Sequence, residues 1–147
     1  EFKLINFGSP EMPLSLWLGK MRQYQNLTAK SIYSAETGMG FTGEGATGDT
    51  VSNWRKEETE KQQVHIKKGE SLKIDLSPGT WRYTLMATPW RDTEDFKVFD
   101  GDATLADIVI KKGVEKTEGE IILTQGSLRL ESTYQAKLYW MNLEKIK

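Results

Sequence analysis

Six carboxylates, Asp92, Glu94, Asp95, Asp100, Asp102 and Asp107, fall within sixteen residues, and hard oxygen donors at loop positions are what a calcium ion requires. Their spacing matches no EF-hand loop, Arg91 and Lys97 offset part of the charge, and Asp100 already has a turn role. A solvated hairpin without metal is the expectation. Gly38-Met39-Gly40-Phe41-Thr42-Gly43 fits G-x-G-x-x-G, whose glycines let a backbone approach a pyrophosphate. No helical pattern follows to supply phosphate-binding amides and no Lys-Ser/Thr pair completes a P-loop, so the segment reads as a loop. The single histidine, His65, alternates with apolar neighbours beside Lys67 and Lys68 and reads as a surface residue. Catalysis needs a nucleophile, a base and an orienting group within reach of one another, and the linear sequence offers no such set. Neither a G-x-S-x-G elbow nor H-E-x-x-H occurs. A carboxylate pair drawn from distant parts of the chain is left as the enzymatic rival, and it requires a deep cleft with two acids of raised pKa.

Aromatic residues are the other population able to recognise something. The chain holds five Trp and five Tyr. A Trp on the inner face of a sheet is packing, whereas one on a loop or outer face can stack on a sugar ring or anchor a partner. Trp81 and Tyr83 alternate with polar residues and are assigned to the core. Trp90 follows Pro89 at a strand end, next to Arg91, and is a candidate contact residue, as is Trp54. Tyr139 and Trp140 are consecutive, so in a regular strand one of them faces outward.

These residues sit in a chain of 147 with 20 Lys+Arg, 21 Asp+Glu, one His and no Cys. The absence of Cys removes thiol nucleophiles, zinc thiolates, iron–sulfur clusters and disulfides, and a lone His removes a poly-His metal centre. A formal net charge of -1 argues against nucleic acid as the partner. No cofactor is expected. No run of 18 apolar residues spans a membrane and no signal peptide is evident, so any lipid anchor or export signal belongs outside this piece, which reads as excised from a longer exported protein.

The elements that would hold the candidate residues are strands. Val64 and Ile66, then Leu72, Ile74 and Leu76, then Trp81, Tyr83 and Leu85 fall on alternate positions, the period of a half-buried strand. Ser77-Pro78-Gly79-Thr80 is a turn. A hairpin runs from residues 96–99 through a two-residue Asp100-Gly101 turn to about Ile110, with a bulge or irregular stretch around Ala106-Asp107 because Leu105, Ile108 and Ile110 break alternation. Strands are expected at 121–123 and 128–130, and in the first part at 2–5, 14–18 and 27–33. Residues 36–63 are a long loop or polar insertion: five glycines between 38 and 48 leave little side chain for a core, so 36–50 is a flexible loop or an edge hairpin, and 53–63 suits at most one short surface helix. One domain spanning 1–147 follows, an all-β, antiparallel, Ig-like sandwich with a Gly-rich loop.

The stretch Leu76-Ser77-Pro78-Gly79-Thr80-Trp81-Arg82-Tyr83-Thr84-Leu85-Met86-Ala87, followed by Val98-Phe99-Asp100-Gly101, Ile108-Val109-Ile110-Lys111-Lys112-Gly113 and Ile121-Ile122-Leu123, resembles the Ig-like or carboxypeptidase-regulatory-like domains of bacterial, treponemal-type surface lipoproteins over residues 64–130. The resemblance implies an exported sandwich at the bacterial cell envelope or surface, outer membrane included, that binds and does no chemistry. Adhesion or protein–protein contact is then the expected function. A carbohydrate-binding module using exposed Trp and Tyr is the alternative, and a fimbrial or secretion assembly subunit with an open edge strand is another. Loops at sandwich ends carry binding residues, which selects Phe41 in the 36–50 loop, Trp90 with Arg91, Trp54 and Trp140 for a protein or glycan partner.

Overall fold

A computed structural model describes residues 1–7, 25–28, 31–43, 51–52, 63–114 and 116–147. These residues hold twelve strands and no helix: β1 (Phe2–Phe7), β2 (Gln25–Leu27), β3 (Met39–Thr42), β4 (Val51–Ser52), β5 (Gln63–Lys67), β6 (Ser71–Asp75), β7 (Gly79–Pro89), β8 (Thr93–Asp100), β9 (Ala103–Lys111), β10 (Lys116–Leu123), β11 (Ser127–Glu131) and β12 (Gln135–Lys145). No helix among them is long and apolar enough to cross a membrane.

Two sheets form the sandwich. The five-stranded sheet runs β3-β6-β11-β8-β9, and the seven-stranded sheet runs β10-β7-β12-β1-β2. The far side of β12 is shared: residues 135–138 pair with β5, which in turn pairs with β4, and residues 140–144 pair with β1. Among the described residues all strand–strand pairings are antiparallel except β1 with β2, and the isolated bridge of Ile32 to Phe41 is parallel too. Alternation builds the core as the sequence predicts. Trp81, Tyr83, Leu85 and Ala87 of β7 point inward against Phe96, Val98, Ile108, Ile110, Leu128 and Leu130 of the other sheet. Trp81 is fully buried, and its indole N–H donates to the Ser77 carbonyl at 2.9 Å, so burying the ring strands no donor.

The predicted β8–β9 hairpin is present, but its two-residue turn is Gly101-Asp102 rather than Asp100-Gly101: Asp100 ends β8, paired with Ala103, and Gly101 supplies the positive φ, 61°, at the first turn position. The expected bulge is there too. Between Phe96↔Ile108 and Val98↔Leu105, β9 carries one residue more than β8, which is how Leu105 and Ile108 both turn toward the core, Ile108 buried and Leu105 partly so.

Other expectations change. Of the two readings of the Gly-rich segment, loop or edge hairpin, the edge position holds for Met39–Thr42, paired to β6 in the five-stranded sheet, but Met39 and Phe41 do join the core. Phe41 is 3% exposed and packs on Phe7 with ring centroids 6.1 Å apart. Phe41 is therefore a core residue and presents no surface to a partner. The glycine before it explains the error. A Cβ at Gly40 would collide with the Tyr33 backbone, so a residue without a side chain is what lets residues 31–33 cross over this strand; Phe41 accepts from Tyr33 N–H at 3.0 Å and donates to the Ser31 carbonyl at 2.8 Å. Among the described residues of the predicted strand at 27–33, Leu27 lies in a strand and Ile32 in an isolated bridge to Phe41. The strand expected at 14–18 and the short helix within 53–63, apart from Gln63 in β5, fall outside the described residues.

Candidate functional site

The central strand β12 decides where the aromatic residues point. Ala136 and Leu138 face the core, and so do Met141 and Leu143, which is possible only because the pairing with β7 slips between Leu138↔Ala87 and Trp140↔Met86. Tyr139 is the extra residue of a β-bulge. The expectation that one of Tyr139 and Trp140 faces out is thereby corrected: a bulge turns two successive residues to the same side, and both stand half-buried on the outer face. The Tyr139 hydroxyl is 3.3 Å from Thr88 Oγ1. Trp140 lies between Asn6 on β1 and Met86 on β7, which are themselves buried.

Further along the same face, Trp90 extends the outward row of β7 past Pro89, its N–H donating to the Gln135 carbonyl at 3.0 Å. Its side chain is 53% exposed. The ring meets His65 edge-on, centroids 6.3 Å apart, and the Lys137 ammonium stands 5.5 Å from its centroid. His65 and Lys137 are cross-strand partners. Burial first, then the charges of Lys137 and Lys67, hold the His65 pKa below its usual value, which leaves the imidazole neutral at pH 7. Lys116 of β10 approaches the Trp140 ring at 5.7 Å. From Trp90 to Trp140 is four residues along β7, roughly 13 Å at the strand rise.

At the same end, between the sheets, Arg91 stacks on Tyr134 with its guanidinium carbon 3.4 Å from the ring centroid. An open cleft of about 360 Å³ lies there, lined by Arg91, Asp92, Thr93, Glu94, Asp95, Thr133 and Tyr134. The acidic segment nevertheless has structural work. Glu94, Phe96, Val98 and Asp100 share the inward side of β8, and its two terminal acids bind the turns on either side of β11. Glu94 accepts from Ser132 Oγ at 2.6 Å and from the N–H groups of Thr133 and Tyr134 at 2.9 and 3.1 Å. Asp100 accepts from the N–H groups of Thr124, Gln125 and Ser127 at 2.7, 2.9 and 3.0 Å. Burial pushes the Asp100 carboxyl up, and the donors of Gln125, Ser127 and Thr124 outweigh it, so its pKa lies below the usual aspartate value. Among the described residues no three His, Cys, Asp or Glu side chains stand together as metal ligands would.

Of the residues selected from the sequence, the structure brings Trp90, Arg91 and Trp140 to one sheet and the sandwich end beside it. Phe41 is in the core, and Trp54 lies outside the described residues. Sequence reasoning missed Lys137, Lys116, Tyr134 and the outward turn of Tyr139; the run Leu138-Tyr139-Trp140-Met141, four large residues without alternation, is the signal that a bulge interrupts a strand there.

No protein-family model matches the sequence, and no curated protein is significantly similar to it. Solved structures share the fold at low identity. Protein YxiM of Bacillus subtilis matches over the whole chain with TM-score 0.64 and 16% identity, the match covering 40% of that protein's chain. A β-glucuronidase of Bacteroides uniformis, covalently bound to cyclophellitol-6-carboxylate aziridine, matches with TM-score 0.64 and 12% identity over 18% of its chain. The catalytic domain of a GH87 α-1,3-glucanase, in complex with tetrasaccharides, matches 99% of this chain with TM-score 0.54 and 9% identity over 28% of its own. The fold is an all-β sandwich module that also occurs as a minor part of larger proteins.

Proposed function

We propose that this chain is a non-catalytic carbohydrate-binding module of an exported envelope or surface protein, with Trp90 as the platform for a sugar ring. The observation that carries the reading is the state of that side chain: a large aromatic, more than half exposed, held edge-on by His65 at the open end of a sheet face. The apolar face of a pyranose packs on an indole while its hydroxyls take hydrogen bonds from flanking polar groups, here Lys137, Thr88 and Tyr139 on the sheet and Arg91 beside it. The same fold forms 18% of a β-glucuronidase chain and 28% of the chain of an α-1,3-glucanase catalytic domain, which fits a module within a larger glycan-handling protein.

The test is titration of the purified chain with soluble polysaccharides, followed by tryptophan fluorescence and calorimetry, with Trp90→Ala in parallel. Saturable binding that is lost in Trp90→Ala, while the two proteins melt at the same temperature, is the expected result. Saturable binding of a protein with no response to any polysaccharide would overturn the reading in favour of the adhesion role expected from the sequence.

A further inference from the structure

We propose that the glycan is anionic, its carboxylate or sulfate groups received by Lys137 and Lys116; this rests on the carbohydrate reading above. The two ends of one sheet face differ in how their cations are balanced. At the far end, Arg82 is flanked by Glu120 at 3.6 Å and Glu144 at 4.0 Å on the neighbouring strands. At the aromatic end, Lys137 and Lys116 form no ion pair among the described residues, and each ammonium instead stands over an indole, Lys137 over Trp90 and Lys116 over Trp140. Arg91, over Tyr134, repeats the arrangement at the sandwich end.

Among the described residues, the carboxylates nearest these cations are committed elsewhere or lie off the row. Glu94 is buried and holds the Ser132–Tyr134 turn, and Glu118 is the next outward residue of β10, opposite Thr84 rather than Met86. Asp92 and Asp95 line the cleft with Arg91 and temper its charge, which is why the assignment goes to the two lysines. Lys137 opposes Thr88, and Lys116 opposes Met86 on the other side of β7. Two strand spacings across and two residues along put their Cα atoms roughly 12 Å apart, so separate charged groups on one sugar chain can reach both.

An exposed cation resting on an aromatic face is weakly held. A sugar stacking on Trp90 displaces the Lys137 ammonium from the ring, and a carboxylate or sulfate on that sugar offers it a stronger, charge-assisted hydrogen bond in exchange. The hydroxyl of a neutral sugar also accepts from the ammonium, but without the opposite charge, so the exchange gains less. The lysines thus favour glycans with acidic groups over neutral ones with the same ring shape.

The experiment compares matched polymers: polygalacturonate and chondroitin sulfate as carboxylate and carboxylate-plus-sulfate arms, neutral galactan and hydroxyethylcellulose as uncharged arms, and polyglutamate as a polyanion without sugar. The proteins are wild type, Trp90→Ala, Lys137→Gln, Lys116→Gln and the double lysine variant. An acidic polysaccharide should bind about tenfold more weakly for each lysine removed, and its binding should weaken as salt is raised. Preference for polygalacturonate or for chondroitin sulfate identifies the charged group. Equal binding of neutral and acidic polymers, insensitive to the lysine variants but lost in Trp90→Ala, overturns the anionic assignment and leaves the carbohydrate reading standing. Equal binding of polyglutamate also overturns it, as bare charge attraction. No response to any polysaccharide overturns both.

Discussion

Asp100 offers the sharpest test of how the sandwich end is held, and the test is a single side-chain change. Its carboxylate accepts three backbone N–H groups, from Thr124, Gln125 and Ser127, and the Thr124 hydroxyl at 3.2 Å. Asp100→Ala leaves those donors to find water at the rim or go without. At about 1–3 kcal/mol for each buried donor left unpaired, with partial rescue by solvent, the expected loss is about 3 kcal/mol. For a chain of this size that is a fall of about 6–12 °C in Tm. Asp100→Asn keeps one acceptor oxygen but turns an NH₂ group toward a backbone N–H, and about 2 kcal/mol is expected. The pH dependence checks the cause. Because the folded pKa lies below its unfolded value, the unfolded state binds the proton more readily; the stabilisation is present above about pH 4 and is lost as pH falls through the folded pKa. The gap between wild type and Asp100→Asn, measured by urea denaturation, should therefore narrow below pH 4. Asp102, exposed and bonded to Gln125 Nε2 at 2.8 Å, is the control, and Asp102→Asn should change stability by less than about 0.5 kcal/mol. A loss under about 0.5 kcal/mol in Asp100→Ala, or a gap indifferent to acid, would refute the account.

Other parts of the structure give shorter tests. Trp81→Phe deletes a fully buried indole edge and its bond to the Ser77 carbonyl, and should cost about 1–3 kcal/mol by chemical denaturation. Gly119→Ala should cost about 1–3 kcal/mol, since the added Cβ would sit 2.6 Å from the Tyr83 hydroxyl and 2.8 Å from its ring carbons; a Tyr83→Ala background, which opens that space, should remove the penalty of the added methyl. His65 has a lowered folded pKa, so the unfolded chain takes its proton first. Stability should fall as pH drops below about 6.5 toward the folded value, and thermal melts of His65→Gln should lack that component.

Much of the fold was legible because burial on one side of a sheet writes itself into the sequence at period two. Trp81, Tyr83 and Leu85, Leu72 and Ile74, and the Gly101 hairpin all follow from alternation and turn residues, and the broken spacing of Leu105 and Ile108 foretold the β9 bulge. Pairing over long separations has no such local mark. Nothing near Lys145 says that β12 lies between β7 on one side and β5 and β1 on the other. The Gly-rich segment misled for a related reason. Gly40 reads as a breaker in isolation, whereas its bare Cα is what permits a close crossing with residues 31–33, a contact defined only in three dimensions.

The candidate site divides in the same way. Residue types alone singled out Trp90, Arg91 and Trp140, and ruled out thiolate and poly-His chemistry, because those statements depend on what side chains exist rather than where they lie. The tertiary structure decided that Phe41 is core and that Glu94 and Asp100 bind turns. It alone placed Lys137 and Lys116, contributed by different strands, over Trp90 and Trp140. The physical reason is that a sheet face is assembled from every second residue of strands far apart in the chain, and a one-residue bulge at Tyr139 changes which side two of them occupy.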